Sequence, residues 1–185
     1  VIQTGAESRA EVTLPENRGV LRLSEQSMMV LTRMGEADSA QKTEAQLRGG
    51  SVWINFKALG KIKRLEERRS DFLMSSPVAV TGVRGTVYRM DVAPDSTSQV
   101  RVYEGEVQVG WMPQQAFIPG QTVLQAPTEV AGPQEITVTQ WIELIRAGQQ
   151  AVLTPDRKVA VSPFDAAKDA QDEWVRWNRA RDEKD

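Results

Sequence analysis

Residues 71–110 read DFLMSSPVAVTGVRGTVYRMDVAPDSTSQVRVYEGEVQVG, and their pattern decides the fold class. Thr86, Tyr88, Met90 and Val92 alternate with Val87, Arg89 and Asp91, the period of two of a strand whose faces meet different surroundings. Ala93-Pro94-Asp95-Ser96-Thr97-Ser98 is turn chemistry, because Pro presets φ while Asp and Ser bond to nearby backbone. Val100 and Val102 then alternate with Arg101 and Tyr103, and Glu104-Gly105 leads into Val107 and Val109. The stretch is a three-stranded β-meander, with Gly82-Val83-Arg84-Gly85-Thr86 expected as a tight turn at its centre.

The same logic extends upstream. Ser8, Ala10, Val12 and Leu14 share one strand face against Arg9, Glu11 and Thr13; the chain turns over 15–19, and Val20 to Leu23 opens the next strand. Ser27 to Arg33 holds a Met-Met-Val-Leu core too short to separate strand from helical turn by periodicity, but its flanking turns favour strand. Gly35 to Gln41 is a polar loop, and Thr43 to Leu47, Gly49-Gly50 and Val52 to Phe56 read as strand, turn, strand. Gly19-Val20, Gly50-Ser51-Val52 and Gly105-Glu106-Val107 each place a glycine at a strand start. That suits a sheet whose backbone turns sharply there, and leaves a solenoid-like winding open. In Ala58 to Ser70, Leu59, Ile62 and Leu65 sit at helical spacing, which leaves a helix and an extended arm both open.

Downstream of Gly110 the pattern loosens. Trp111 to Pro119 is loop-like, Gln121 to Gln125 a short strand, and Ala126 to Gln134 (APTEVAGPQ) a Pro/Gly-rich link. Ile136 to Leu144 and Gln150 to Val161 read as strands around Ala147-Gly148. From Pro163 to Asp185, Ala166, Ala167, Ala170, Trp174 and Trp177 form one helical stripe that Asp165 can cap, so a C-terminal helix docked through its tryptophans is expected. The expected class is all-β, a sandwich or solenoid-like module of many short strands with a C-terminal α-helix. Its parts are a β domain over 1–125, a β extension on the same body over 126–162 and the helix over 163–185.

SSPVAVTGVRGTVYRMDV (75–92) followed by VRVYEGEVQV (100–109) resembles the FecR-type domain, the periplasmic sensor module of ferric-citrate-type regulators. The resemblance extends to VIQTGAESRAEVTLP (1–15) and LRGGSVWINFK (47–57), and covers Val1 to Gly110. Ser76 departs mildly from the threonine that the family usually carries before the proline. In such regulators the module relays a signal from an outer-membrane transporter to an anti-sigma segment across the inner membrane. Without a membrane-spanning or cytoplasmic segment here, the chain is more similar to free-standing, secreted FecR-domain proteins. The resemblance implies an exported β module with no catalytic residues.

Composition narrows the chemistry. The 185 residues carry a formal net charge of −2, so no global basic field draws in nucleic acid or anionic membrane. The sequence contains neither cysteine nor histidine, which removes disulfides, the usual zinc ligands and the commonest general base. Its longest uncharged apolar runs, such as Met28 to Leu31, fall far short of the roughly 20 residues that span a bilayer. The chain opens on VIQTG inside a strand pattern, so a signal peptide is expected to have been removed upstream.

No motif carries catalysis. Gly82 to Thr86 lacks the Gly-Lys-Ser/Thr ending of a phosphate loop and runs into a strand, where a phosphate cradle needs a helix N-terminus. Ser39-Ala40-Gln41-Lys42 matches Ser-x-x-Lys without the accompanying motifs of penicillin-binding enzymes. The basic arm from Lys57 to Arg69 is diluted by Glu66 and Glu67 and has no interleaved aromatics to stack bases. Arg84 is the first candidate partner contact, because guanidinium binds carboxylate bidentately, although tying adjacent turns together is the commoner job. With it stand Gly82, Gly85 and Thr86, and the helical pair Trp174 and Trp177. The expectation is a non-catalytic, cofactor- and metal-free module of the periplasm or extracellular space that binds a protein partner. A carbohydrate-binding module with tryptophan platforms is the alternative, and a carbohydrate-active enzyme with facing carboxylates comes behind it.

Overall fold

The alternation that marks residues 79–92 and 98–111 as strands continues on both sides of their glycines, with register shifts between Arg84 and Tyr88, and this shapes the molecule. A computed structural model describes residues 1–14, 19–33, 43–56, 72–112 and 141–184. In chain order the elements are β1 (Ile2–Gln3), β2 (Ala10–Thr13), β3 (Val20–Leu23), β4 (Met28–Arg33), β5 (Thr43–Asn55), β6 (Phe72–Ser75), β7 (Ala79–Val92) and β8 (Ser98–Trp111). There follow β9 (Trp141–Arg146), β10 (Gln149–Leu153), β11 (Val159–Pro163) and the helices α1 (Ala166–Asp169) and α2 (Glu173–Asp182).

The strands form one hydrogen-bonded sheet, part of which closes into a 5-strand ring. Its two leaves share β5, β7 and β8. In the first leaf the order is β2, β3, the second half of β5, the second half of β7, the first half of β8, β10 and β11, all antiparallel. In the second leaf it is β1, β4, the first half of β5, β6, the first half of β7, the second half of β8 and β9, with only β5–β6 parallel. The inward residues of both leaves meet in one core. Leu23, Val52, Met90, Val100 and Ala151 form a row in the first leaf, and Phe72, Val83, Val107 and Ile145 a row in the second. The Tyr88 hydroxyl meets that of Thr81 at 2.9 Å inside this core, and burial pushes the phenol well above its ordinary pKa.

Where a strand itself passes from one leaf to the other, a glycine with positive φ marks the crossing, Gly50 in β5, Gly85 in β7 and Gly105 in β8; Gly148 does so in the β9–β10 turn, and Glu7 and Gln26 have positive φ in the β1–β2 and β3–β4 connections. At Gly105 a side chain is excluded twice over. Its φ is +76°, and a Cβ would lie 2.5 Å from Thr86 Cγ2 and 2.8 Å from the Gly85 carbonyl oxygen. At Gly50 the obstacle is Ser27, whose hydroxyl accepts from the Ser51 amide at 3.0 Å and holds the bend in place.

Two expectations are thereby corrected. Gly82 to Thr86 is not a tight turn but the bend within continuous β7, and the chain reverses instead at Ser76 to Val78. There the Ser76 hydroxyl accepts from the Ala79 amide at 2.8 Å and from Ser98 at 2.7 Å, jobs that need only the hydroxyl a threonine would also bring. Likewise residues 43–55 form one bent strand, not strand, turn, strand, because Gly49-Gly50 redirects the backbone between leaves while pairing continues.

The C-terminal region differs in detail. Gln150 to Val161 divides into β10 and β11 around Pro155 to Arg157. The stretch expected as one helix breaks in two, because Asp172 is extended and caps α2 while Asp165 caps α1. The expected loop at 35–41, the ambiguous 58–70, the strand at 121–125 and the link at 126–134 lie outside the described residues.

The corner geometry is testable by urea denaturation. Gly85→Ala, with open space around its Cβ, should cost about 1–2 kcal/mol for the left-handed backbone alone. Gly105→Ala should cost about 1–3 kcal/mol more, from overpacking against Thr86 and Gly85. Equal losses would show that the β7–β8 corner does not depend on this close approach.

Candidate partner-docking face

Strand register builds a charged row on the outer side of the first leaf. Glu11 stands opposite Arg22, Arg22 opposite Trp53, Trp53 opposite Arg89, Arg89 opposite Arg101, and Arg101 opposite Gln150. Each is out of phase with the core residues beside it, so period two in every strand sends the row to the far face. Two arginines directly opposite repel each other unless compensated. Asp91, one step along β7, lies 2.7 Å from Arg89 Nε and 3.0 Å from Arg101 Nη1.

The 164–184 tail supplies the remaining carboxylates. Asp172 divides its oxygens between accepting from the Trp174 amide at 2.9 Å, as cap of α2, and from Arg89 Nη1 at 2.8 Å. Asp169 accepts from the Tyr103 hydroxyl at 2.8 Å and lies 3.7 Å from Arg101. Asp182 pairs with Arg22 and accepts from Trp53 Nε1 at 2.9 Å. Outside these, Glu11 binds Arg22 and Arg181 at 2.8 and 3.1 Å, and Arg9 reaches Glu173 at 2.7 Å.

An aromatic layer lies between the charges. Trp53, Val87, Trp174 and Val175 are buried together, Tyr103 stacks on Trp53 at 4.5 Å, and Trp174 stacks on Trp177 at 5.2 Å. The guanidinium groups of Arg9 and Arg181 each sit 4.9 Å from the Trp177 ring centroid. The fit is incomplete: Trp174 Nε1, Asn178 Oδ1 and Thr86 Oγ1 are buried without a hydrogen-bond partner among the described residues.

Titration follows the pairing. Burial pushes the Asp172 carboxyl up, but hydrogen bonds from Arg89 and the Trp174 amide outweigh it and hold its pKa below the ordinary value. Glu11 is lowered in the same way, burial being overcome by Arg22 and Arg181. Burial works against the Arg89 charge, yet Asp91 and Asp172 raise its pKa. Burial, and then Asp169, raise the Tyr103 phenol. Carboxylates held ionised beside arginine are poor proton donors. Among the described residues no acidic cluster could hold a metal ion, and no helix is long and apolar enough to cross a membrane.

The candidates read from sequence do not converge on one place. Trp174 and Trp177 belong to this face. Gly82 and Arg84 lie in the second leaf, Arg84 opposite Glu106 in β8, with its side-chain contacts outside what is described. Gly85 is exposed at the corner, and Thr86 is buried beside it. The sequence reading missed Arg22, Trp53, Arg89, Arg101, Tyr103, Asp169, Asp172 and Asp182. The outward phase of Arg89 and Arg101 was visible; their adjacency depends on register.

The model of the family described as FecR protein matches residues 1–108, and the chain belongs to that family. Two crystal structures of a proposed anti-sigma factor from Parabacteroides distasonis ATCC 8503, at 1.65 and 2.50 Å resolution, share the fold with a TM-score of 0.58. They are 16% and 17% identical to this chain, over 91% of its length and 62% of theirs. No curated protein matches. All four members of the Arg22–Trp53–Arg89–Arg101 row lie inside the family match, and the tail lies beyond it.

The ion pairs set a pH dependence. Depressed carboxylate pKa values stabilise tail docking above the ordinary values, 3.8 for Asp172 and 4.5 for Glu11, and that stability is lost as pH falls through them toward the lowered ones. Near-ultraviolet circular dichroism of the tryptophans should therefore change below about pH 4 before the far-ultraviolet sheet signal does. Arg22→Met should destabilise by about 1–3 kcal/mol, because it leaves Asp182 with the Trp53 indole and Glu11 with Arg181 but removes the guanidinium that joins them. Arg9→Ala, which breaks a pair with exposed Glu173 and the contact with the Trp177 ring, should cost about 1–2 kcal/mol in the same denaturation assay.

Proposed function

We propose that the chain is a regulatory, signal-transducing module of the bacterial cell envelope that acts by holding protein partners and not by catalysis. The observation that carries this reading is membership of the FecR family over residues 1–108. The fold shared with the proposed anti-sigma factor from Parabacteroides distasonis supports it, as does an outer face whose ionisable groups are paired for binding. The periplasm is the proposed compartment, and the β extension with its C-terminal helices is proposed to belong to the same working unit as the family domain.

A glycan partner is disfavoured by the tryptophans themselves. Trp174 is buried at 6% exposure, and the Trp177 ring is stacked on it and approached by Arg9 and Arg181, so neither offers a free flat platform.

Affinity capture from an envelope fraction of the parent bacterium tests the reading. The expected result is a discrete protein partner retained in near-stoichiometric amount and released by raised salt. Retention on sedimented peptidoglycan, with no protein partner, would overturn it. Cell fractionation is expected to place the chain in the periplasm.

A further inference from the structure

We propose that the Arg22–Trp53–Arg89–Arg101 face is a docking site for a helical segment of a partner protein that presents carboxylates to these arginines, and that the 164–184 tail occupies it as an internal stand-in. The inference rests on the protein-binding reading above and specifies the partner's chemistry.

Four observations support it. First, the face demands an anionic occupant: Arg89 and Arg101 are directly opposed, and Asp91 is the carboxylate on their own strands that bridges both. Without the tail, Arg22 and Trp53 would also lose Asp182. Second, the present occupant fits the charges better than it fits the rest of the surface. Two of the three buried polar side-chain atoms without a partner among the described residues, Trp174 Nε1 and Asn178 Oδ1, belong to α2. Neither finds a partner among the described residues, which favours an occupant that satisfies the same site. Third, the cover has no helical stability apart from the sheet. Its helices have 4 and 10 residues, below the length at which an isolated helix holds in water, so an undocked tail unfolds and does not compete as a preformed element. Fourth, the face lies in the family-matched part of the chain and the cover outside it.

The tail also describes what the face recognises. Asp169 and Asp172 are one helical turn apart in sequence, an aromatic residue follows at Trp174, and a third carboxylate stands at Asp182. A partner segment with one acid ahead of a helix, a second as its extended N-cap, an apolar aromatic stripe and a distal acid would reproduce these contacts.

The test uses the full chain carrying Asp172→Asn and Asp182→Asn. Asparagine still caps a helix, so this weakens the tail's ion pairs while keeping its shape. The probe is a fluorescein-labelled synthetic peptide with the wild-type sequence of residues 164–184, followed by fluorescence anisotropy. The peptide is expected to bind the double variant at least about tenfold more tightly than the wild-type chain, whose own tail competes at high effective concentration. Adding Arg89→Ala and Arg101→Ala is expected to abolish binding, and raised salt to weaken it. No binding to the double variant, equal binding of a scrambled peptide, or indifference to the arginine substitutions would each sink the proposal. Hydrogen exchange on the wild-type chain provides a second readout that needs no substitution. Amides of α2 should open without unfolding of β7 and β8, and exchange of α2 only together with the whole sheet would overturn the proposal. Failure of the peptide with success of the envelope capture removes this inference alone; failure of the capture removes the protein-binding reading beneath it.

Discussion

The structure depends on three strands crossing between two leaves. A long β-strand can serve both halves of a folded-over sheet only if its backbone bends sharply while its hydrogen bonds continue on either side. Left-handed glycines provide that bend in β5, β7 and β8. Everything else inherits its position from these corners. They bring the inward rows of the two leaves face to face as one core, and they aim the other phase of the same strands at solvent, where the arginine row forms.

That outer row is the least self-sufficient part of the sheet. A polar outer face normally needs only water. Here Trp53 is almost fully buried, Arg22 is fully buried, and both are covered by α2. Burying a guanidinium is tolerable only with carboxylates in contact, so the ionic pattern of the face dictates that of whatever lies on it. Asp172 shows how economical the match is: one oxygen caps the helix and the other binds Arg89, coupling helix formation to docking.

Much of the fold was legible because period two is a local signal. The meander over 71–110 and the strands at 20–23 and 28–33 could be read from neighbouring residues. What misled was punctuation. Glycine marks a turn and a bent, continuous strand alike, and Gly82 to Thr86 and Gly49-Gly50 were read as turns because no local feature separates the two cases. The break between α1 and α2 escaped for a similar reason: Asp172 looks like an ordinary polar helix residue until Arg89 is known to hold it.

By itself the sequence determined the β class, the family, the lack of histidine and cysteine chemistry and the presence of a C-terminal helical tail. These are properties of composition and of residues close together in the chain. Only the tertiary structure decided where the strands bend, which leaf each half-strand joins, and that Arg22, Arg89 and Arg101 share one face beneath Asp182, Asp172 and Asp169. Those partners are separated by 160 residues for Arg22 and Asp182 and 83 for Arg89 and Asp172, and strand register, set by long-range pairing, is what brings them together.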